Sequence, residues 1–232
     1  MTKQKNNLEA LETRIGYSFG NQNLLKEALT HRSYLNENPS WPLPHNERLE
    51  YLGDAVLELA VTKAIFSAFP NSQEGELTLL RAALVNYQFL AEVASSIGLH
   101  ECLYLSRGEA RDSSRAKEVI LANAIEALIG AIYIDGGFDP SEEFINKFVN
   151  SKAREVMEAG KYKDAKSKLQ EFMQEHKKIT PTYRVIGESG PDHKKTFRVA
   201  VMVGSEQLAE GEGLSKQEAE TSAAKNALQQ LD

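Results

Sequence analysis

Cysteine is almost absent: a single Cys102 in 232 residues excludes an internal disulfide framework and any multi-cysteine zinc site. No stretch reaches 18 consecutive apolar residues, so no membrane-spanning helix is expected. The opening MTKQKNNLEALETRIG is polar and then amphipathic, without the apolar run of a secretory signal. A reduced, cytoplasmic setting is therefore the expectation. Excess positive charge is missing too. The formal net charge is −6, which taken whole weighs against a nucleic-acid partner. That charge is unevenly spread: residues 163–232 hold 11 Lys+Arg and 11 Asp+Glu, so the entire acidic excess lies in residues 1–162. Where carboxylates hold cations, formal charge misstates the local field.

What is present is an ordinary globular composition, 41% hydrophobic and 26% charged, enough for one large or two small domains without covalent staples. Through residue 158, apolar positions recur at helical spacing. Leu8, Leu11 and Ile15 share one face, and Leu24, Leu25, Ala28 and Leu29 continue the pattern. Residues 36–46 hold three of the seven prolines and read as a loop. Helices are predicted over 47–69, ended by Pro70; over 77–97, closed by Gly98; over 117–134, closed by Gly136 and Gly137; and over 141–158. The pattern then changes type. Residues 165–177 form an amphipathic helix, 182–188, 195–203 and 207–212 suit strands, and 215–231 is helical again. This last helix opens with Ser215-Lys216-Gln217-Glu218, a capping box. The chain divides into a helical domain over 7–150, a linker over 151–163 and a small αβββα unit over 164–232.

Two segments carry chemistry. In 45–58, HNERLEYLGDAVLE, the residues Glu47, Glu50, Asp54 and Glu58 lie within roughly 80° of one another on a helix. Leu49, Leu52, Val56 and Leu59 occupy another face, the expected core face. Like charges so spaced repel. In 119–132, VILANAIEALIGAI, the only polar side chains are Asn123 and Glu126, at i and i+3. A carboxylate in so apolar a helix needs a base or a cation beside it. The readings that follow are a salt bridge, for instance Glu126 with Arg48, a solvated face for the first cluster, or a site for a hard, oxygen-loving cation such as Mg²⁺. Zinc is disfavoured by the donor types.

The run Asn46-Glu47-Arg48-Leu49-Glu50-Tyr51-Leu52-Gly53-Asp54-Ala55-Val56-Leu57 closely resembles the signature of ribonuclease III. His31-Arg32-Ser33 before it, Glu74-Gly75-Glu76-Leu77-Thr78 after it and the second acidic segment fit the same family. Residues 164–232 resemble a double-stranded-RNA-binding domain. The resemblance implies an all-α endonuclease domain followed by a small α+β RNA-binding domain. It implies a homodimer that cleaves double-stranded RNA with Mg²⁺, or Mn²⁺ in its place, leaving 5′-phosphates and 3′ overhangs, in ribosomal-precursor and messenger-RNA processing. It assigns metal ligation to Glu50, Asn123 and Glu126, catalysis to Asp54 and Glu126, cleft positions to Glu47 and Glu74, and a dimer contact to Tyr51, where the family usually has phenylalanine. Asn123 departs from the family's aspartate: its oxygen can ligate but brings no charge. A catalytically impaired dimer that only binds duplex RNA is the alternative.

In the tail, Ser167, Gln170 and Gln174 share a helix face suited to 2′-hydroxyls of a minor groove. Pro191 and His193 suit a second minor groove, and Ser215 and Lys216 suit phosphates at a helix start. Gln217 and Glu220 stand where many such domains have lysine. Gln170 and Gln174 also fit an ordinary solvent face. Trp41 is either a stacking platform or a loop anchor, and Arg107, Arg111, Arg115 and Lys117 either grip phosphates or are simply solvated.

Overall fold

The computed structural model describes residues 2–111, 115–158, 165–191 and 195–231, in two compact units, Met1–Ala159 and Gly160–Asp232. The described part of the first is helical: α1 (Thr2–Ile15), α2 (Gln22–Ala28), α3 (Arg32–Glu37), α4 (Glu47–Ala68), α5 (Glu74–Val85), α6 (Tyr87–Ser96), α7 (Arg115–Gly136), α8 (Phe138–Phe148) and α9 (Ala153–Glu158). Its core is built around α7, from which Ile125, Leu128, Ile129, Ala131 and Ile132 are fully buried. By length and composition this helix passes as a membrane span, yet over half of its most apolar stretch is buried inside the unit.

Three elements differ from the pattern in the sequence. The helix predicted over 77–97 is two, because Asn86 leaves helical geometry at ψ 155°. Its Oδ1 accepts the Phe89 N–H at 2.9 Å and its Nδ2 donates to the Ala83 carbonyl at 2.9 Å. One residue thus ends α5 and caps α6. Gly98, at φ +67°, sits just past α6 where a left-handed residue stops the helix. The helix predicted over 141–158 starts earlier, since Pro140 is tolerated in a first helical turn, and breaks into α8 and α9 around a short 3₁₀ turn, Asn150–Lys152. Residues 151–158, expected in the linker, therefore belong to the first unit, with Ala153 buried. The expected core face of α4 is also rotated. Leu59 is 59% exposed and Leu52 only half-buried, while Leu49, Gly53, Val56, Leu57, Ala60, Val61 and Ile65 are buried.

The proline-rich loop is held by aromatic packing. Trp41 lies 5.3 Å from Tyr34 and 4.9 Å from Tyr104, centroid to centroid, which supports the loop-anchor reading.

In the second unit, α10 (Ala165–His176) and α11 (Lys216–Leu231) flank β1 (Thr182–Ser189), β2 (Thr196–Val203) and β3 (Glu206–Gly213) in sequence. The strands form one antiparallel sheet in the order β1-β2-β3. Leu169 and Met173 of α10, Val201 and Val203 of β2, Ala209 of β3 and Ala223, Ala224 and Ala227 of α11 make the core. Ser215 Oγ accepts the Glu218 N–H at 3.1 Å. Glu218 Oε2 accepts the Leu214 N–H at 2.8 Å, one residue upstream of the usual capping-box partner.

Candidate active site

The site begins with a close helix crossing. Gly53 of α4 lies against the Glu126 carbonyl of α7, and Gly130 of α7 lies against the Leu49 carbonyl of α4. A Cβ at position 53 would fall inside the radius of that oxygen and 2.8 Å from the Gly130 nitrogen, so neither position has room for one. Backbone-to-backbone approach brings the polar edges of both helices together.

Along that edge stand Glu50 and Asp54 of α4 with Asn123 and Glu126 of α7. Glu126 is partly buried, and its carboxyl is pushed up to about 8, by burial first and then by Asp54 and Glu50. Glu50 is also raised, by burial, Glu47 and Asp54, against a hydrogen bond from the Asn123 side chain. The salt-bridge alternative is not met: no described ion pair involves Glu126, and the Arg48 guanidinium acts on Glu27 instead. These groups lack positive charge.

The other acids singled out in the sequence have partners of their own. Glu58 pairs with Arg81 on α5, 2.9 Å from its Nε, so the four-acid stripe of α4 is not a single cluster. Glu47 has Arg32 Nη1 at 3.6 Å and His45 Nδ1 at 3.8 Å. Glu74 is exposed at the start of α5 and accepts from Thr78 Oγ1 at 3.1 Å. No described contact joins it to the acids of α4 and α7. Tyr51 is 83% exposed, along an outward stripe of α4 with Leu59 and Phe66, the latter 70% exposed.

Among the described residues, no three His, Cys, Asp or Glu side chains are already gathered at ligating geometry. The donor chemistry still fits a hard divalent cation. The available ligand atoms are carboxylate oxygens and the Asn123 amide oxygen, and the raised Glu126 and Glu50 carboxyls mark a spot where a positive charge would be stabilised.

Two structural residues escaped the sequence reading beside Gly53 and Gly130. Asn46, just before α4, does not cap it. Its side chain turns back and donates to the Ala28 carbonyl at 3.2 Å, while its N–H donates to the Thr30 carbonyl at 2.9 Å. Thr30 is itself fully buried. Together they fix where α4, and so Glu50, begins. Asn46→Ala is expected to cost about 1–3 kcal/mol by stranding a buried carbonyl, read as a lower melting temperature. A parent-like melting temperature would refute this.

In the second unit, Gln170, Gln174, Pro191, Ser215 and Lys216 are exposed and Ser167 is half-buried. His193 lies outside the described residues. Ser167, Gln170 and Gln174 share one face of α10 by spacing. Lys216 Nζ is 5.8 Å from the centre of the Phe197 ring. Glu220 is matched by Lys166 at 2.6 Å, so the acid at a usual lysine position is paired within the unit.

The profile of the Ribonuclease-III-like family matches residues 21–152, and that of the double-stranded RNA binding motif matches 165–231. The chain is 44% identical to the Ribonuclease 3 of Desulforamulus reducens, over 100% of this chain and 94% of that one. It is 44% identical to the Ribonuclease 3 of a Nitratiruptor species, over 97% and 96%. Among solved structures, the nuclease domain of ribonuclease III from Campylobacter jejuni is 39% identical, with a TM-score of 0.56, covering 62% of this chain and 96% of that one. That work describes a flexible region involved in dimer formation.

Proposed function

The chain belongs to the ribonuclease III family of metal-dependent endoribonucleases and carries a double-stranded-RNA-binding domain, and on that premise we propose that it is a magnesium-dependent homodimer that cuts both strands of duplex RNA. The observation that carries this reading is the convergence of Glu50, Asp54 and Glu126 from two helices with no described base among them. The outward stripe of Tyr51, Leu59 and Phe66 supports a homodimer, since large exposed apolar side chains on one helix face mark contact surfaces. The exposed amides of Gln170 and Gln174 support recognition of duplex RNA by shape across a minor groove.

Glu50, Asn123 and Glu126 would hold the ion, and Asp54 stands beside them. When bound, Mg²⁺ supplies Lewis-acid stabilisation and a more acidic water at the scissile phosphate. Asp54 and Glu126 orient the attacking water and accept its proton. Departure of the 3′ oxygen leaves a 5′-phosphate, and offset cuts in the two strands leave 3′ overhangs. Processing of ribosomal precursors and messenger RNA is the proposed cellular role. Incubation of the chain with end-labelled RNA duplex, with and without Mg²⁺, tests the proposal. Discrete products bearing 5′-phosphates are expected only with the ion, and an intact duplex under both conditions refutes it.

Asn123 sets the level of activity. It contributes an oxygen and a hydrogen bond to Glu50 but no charge. Asn123→Asp is expected to lower the Mg²⁺ concentration for half-maximal cleavage by about tenfold, because affinity at oxygen sites rises with ligand charge. A magnesium titration of the cleavage rate reads this directly. If only Asn123→Asp cleaves and the parent binds duplex RNA without cutting it, the chain is the impaired binder instead.

A further inference from the structure

A basin of about 520 Å³ opens on the first unit, lined by His31, Arg32, Ser33, Asn36, Glu109 and Ile120 among others. Two short links lead from it toward the acid centre. On α7, Ile120 lies one helical turn before Asn123. Arg32 Nη1 is 3.6 Å from Glu47 Oε1, and Glu47 acts in turn on Glu50. The basin wall is fixed: Ser33 Oγ accepts the Ser106 N–H at 3.1 Å and lies 2.8 Å from His31 Nδ1. The arginine is not fixed. Its side chain is 72% exposed, and its distance to Glu47 exceeds a direct hydrogen bond.

An acid centre by itself repels a polyanion. Substrate phosphates flanking the reacting one need a nearby cation, and that cation must be free to change partner. Arg32 meets both conditions, since an exposed, long-range ion pair is weak and a guanidinium can clasp a phosphate through two N–H groups. Glu109 is an acid in the lining, but the exposed Arg107 and Arg111 flank it in the chain. We infer that the basin receives the backbone phosphate next to the scissile one and that Arg32 grips it, a positioning role that rests on the function proposed above.

The test compares the full-length parent with Arg32→Ala, Arg32→Lys and Asn36→Ala on one RNA duplex, measuring cleavage kinetics, the salt dependence of binding and thermal melting. Arg32→Ala is expected to raise KM about tenfold with a much smaller change in kcat, and to flatten the log–log salt slope by about one unit. Arg32→Lys should keep the slope while recovering only part of the affinity, and Asn36→Ala should weaken binding without altering the slope. Arg32→Ala with parental KM and salt slope overturns this inference alone, and so does a variant whose melting temperature falls while KM and slope hold. A parent that neither binds nor cleaves the duplex overturns the proposed function, and this inference with it.

Discussion

Glu126→Gln is expected to lower cleavage of duplex RNA by about 10²–10³-fold or more at saturating Mg²⁺ and, with divalent ions removed, to make the protein more stable. Both effects come from one carboxyl. Its folded-state value of about 8 lies above its ordinary 4.5. A raised value means that the stability this group contributes is fully present below the ordinary carboxyl range and is lost as pH rises through about 8. The glutamine carries no such charge. Its advantage over the parent should therefore be near zero in acid, grow as pH rises and level off above about 8. At pH 7 a difference of about 1–2 kcal/mol is expected, discounted because the carboxyl keeps partial solvent access. Melting curves in chelator from pH 4 to pH 9 would measure it. Mg²⁺ should stabilise the parent more than the variant, because binding the ion replaces the proton. A variant that cleaves at the parental rate removes Glu126 from the chemistry. One that gains no stability above neutral pH removes the repulsion argued for the acid centre.

The sequence made this centre legible through its contrasts. A carboxylate and an amide stand alone in an apolar helix, and four acids repeat at helical spacing on another. Residue type and period carry such a signal. The partners that remove an acid from the centre were not legible. Nothing in the spacing of Glu47, Glu50, Asp54 and Glu58 distinguishes Glu58, whose partner Arg81 lies on another helix. The core face of α4 is hidden in the sequence for a related reason. The large apolar residues point to a face that includes Leu52 and Leu59, while the close contact is made at Gly53 and Ala60 is buried, leaving Leu59 outside. The break at Asn86 was hidden because apolar residues continue at helical spacing on both sides of it. The extended backbone and side-chain bonds of Asn86 show that the helix stops and restarts. In the tail, the strand alternation and the Ser215–Glu218 box are local signals, and the structure follows them with small changes in bounds.

Three glycine-to-alanine substitutions should separate the demands of the helix crossing from ordinary helix propensity. In a helix interior, alanine is favoured over glycine by about 1 kcal/mol, so without tertiary constraint each change would stabilise. Gly75, in the first turn of α5, has nothing within 4 Å of a built Cβ, and Gly75→Ala is expected to be neutral or stabilising by up to about 1 kcal/mol. At Gly53 and Gly130 the sign should reverse. The added carbon meets backbone atoms of the facing helix, which cannot rotate away as a side chain can, so the helices must separate. Overpacking of this kind against backbone should cost upward of about 4 kcal/mol, a large share of the 5–15 kcal/mol that typically holds a domain together. Denaturant melts of the three variants would show the contrast. If Gly53→Ala remains folded, it should still lose cleavage while binding duplex RNA through the second unit, because parting α4 from α7 takes Glu50 and Asp54 away from Glu126. Parental stability for Gly53→Ala would mean that the crossing is looser than described, and the convergence of the acids would then need another cause.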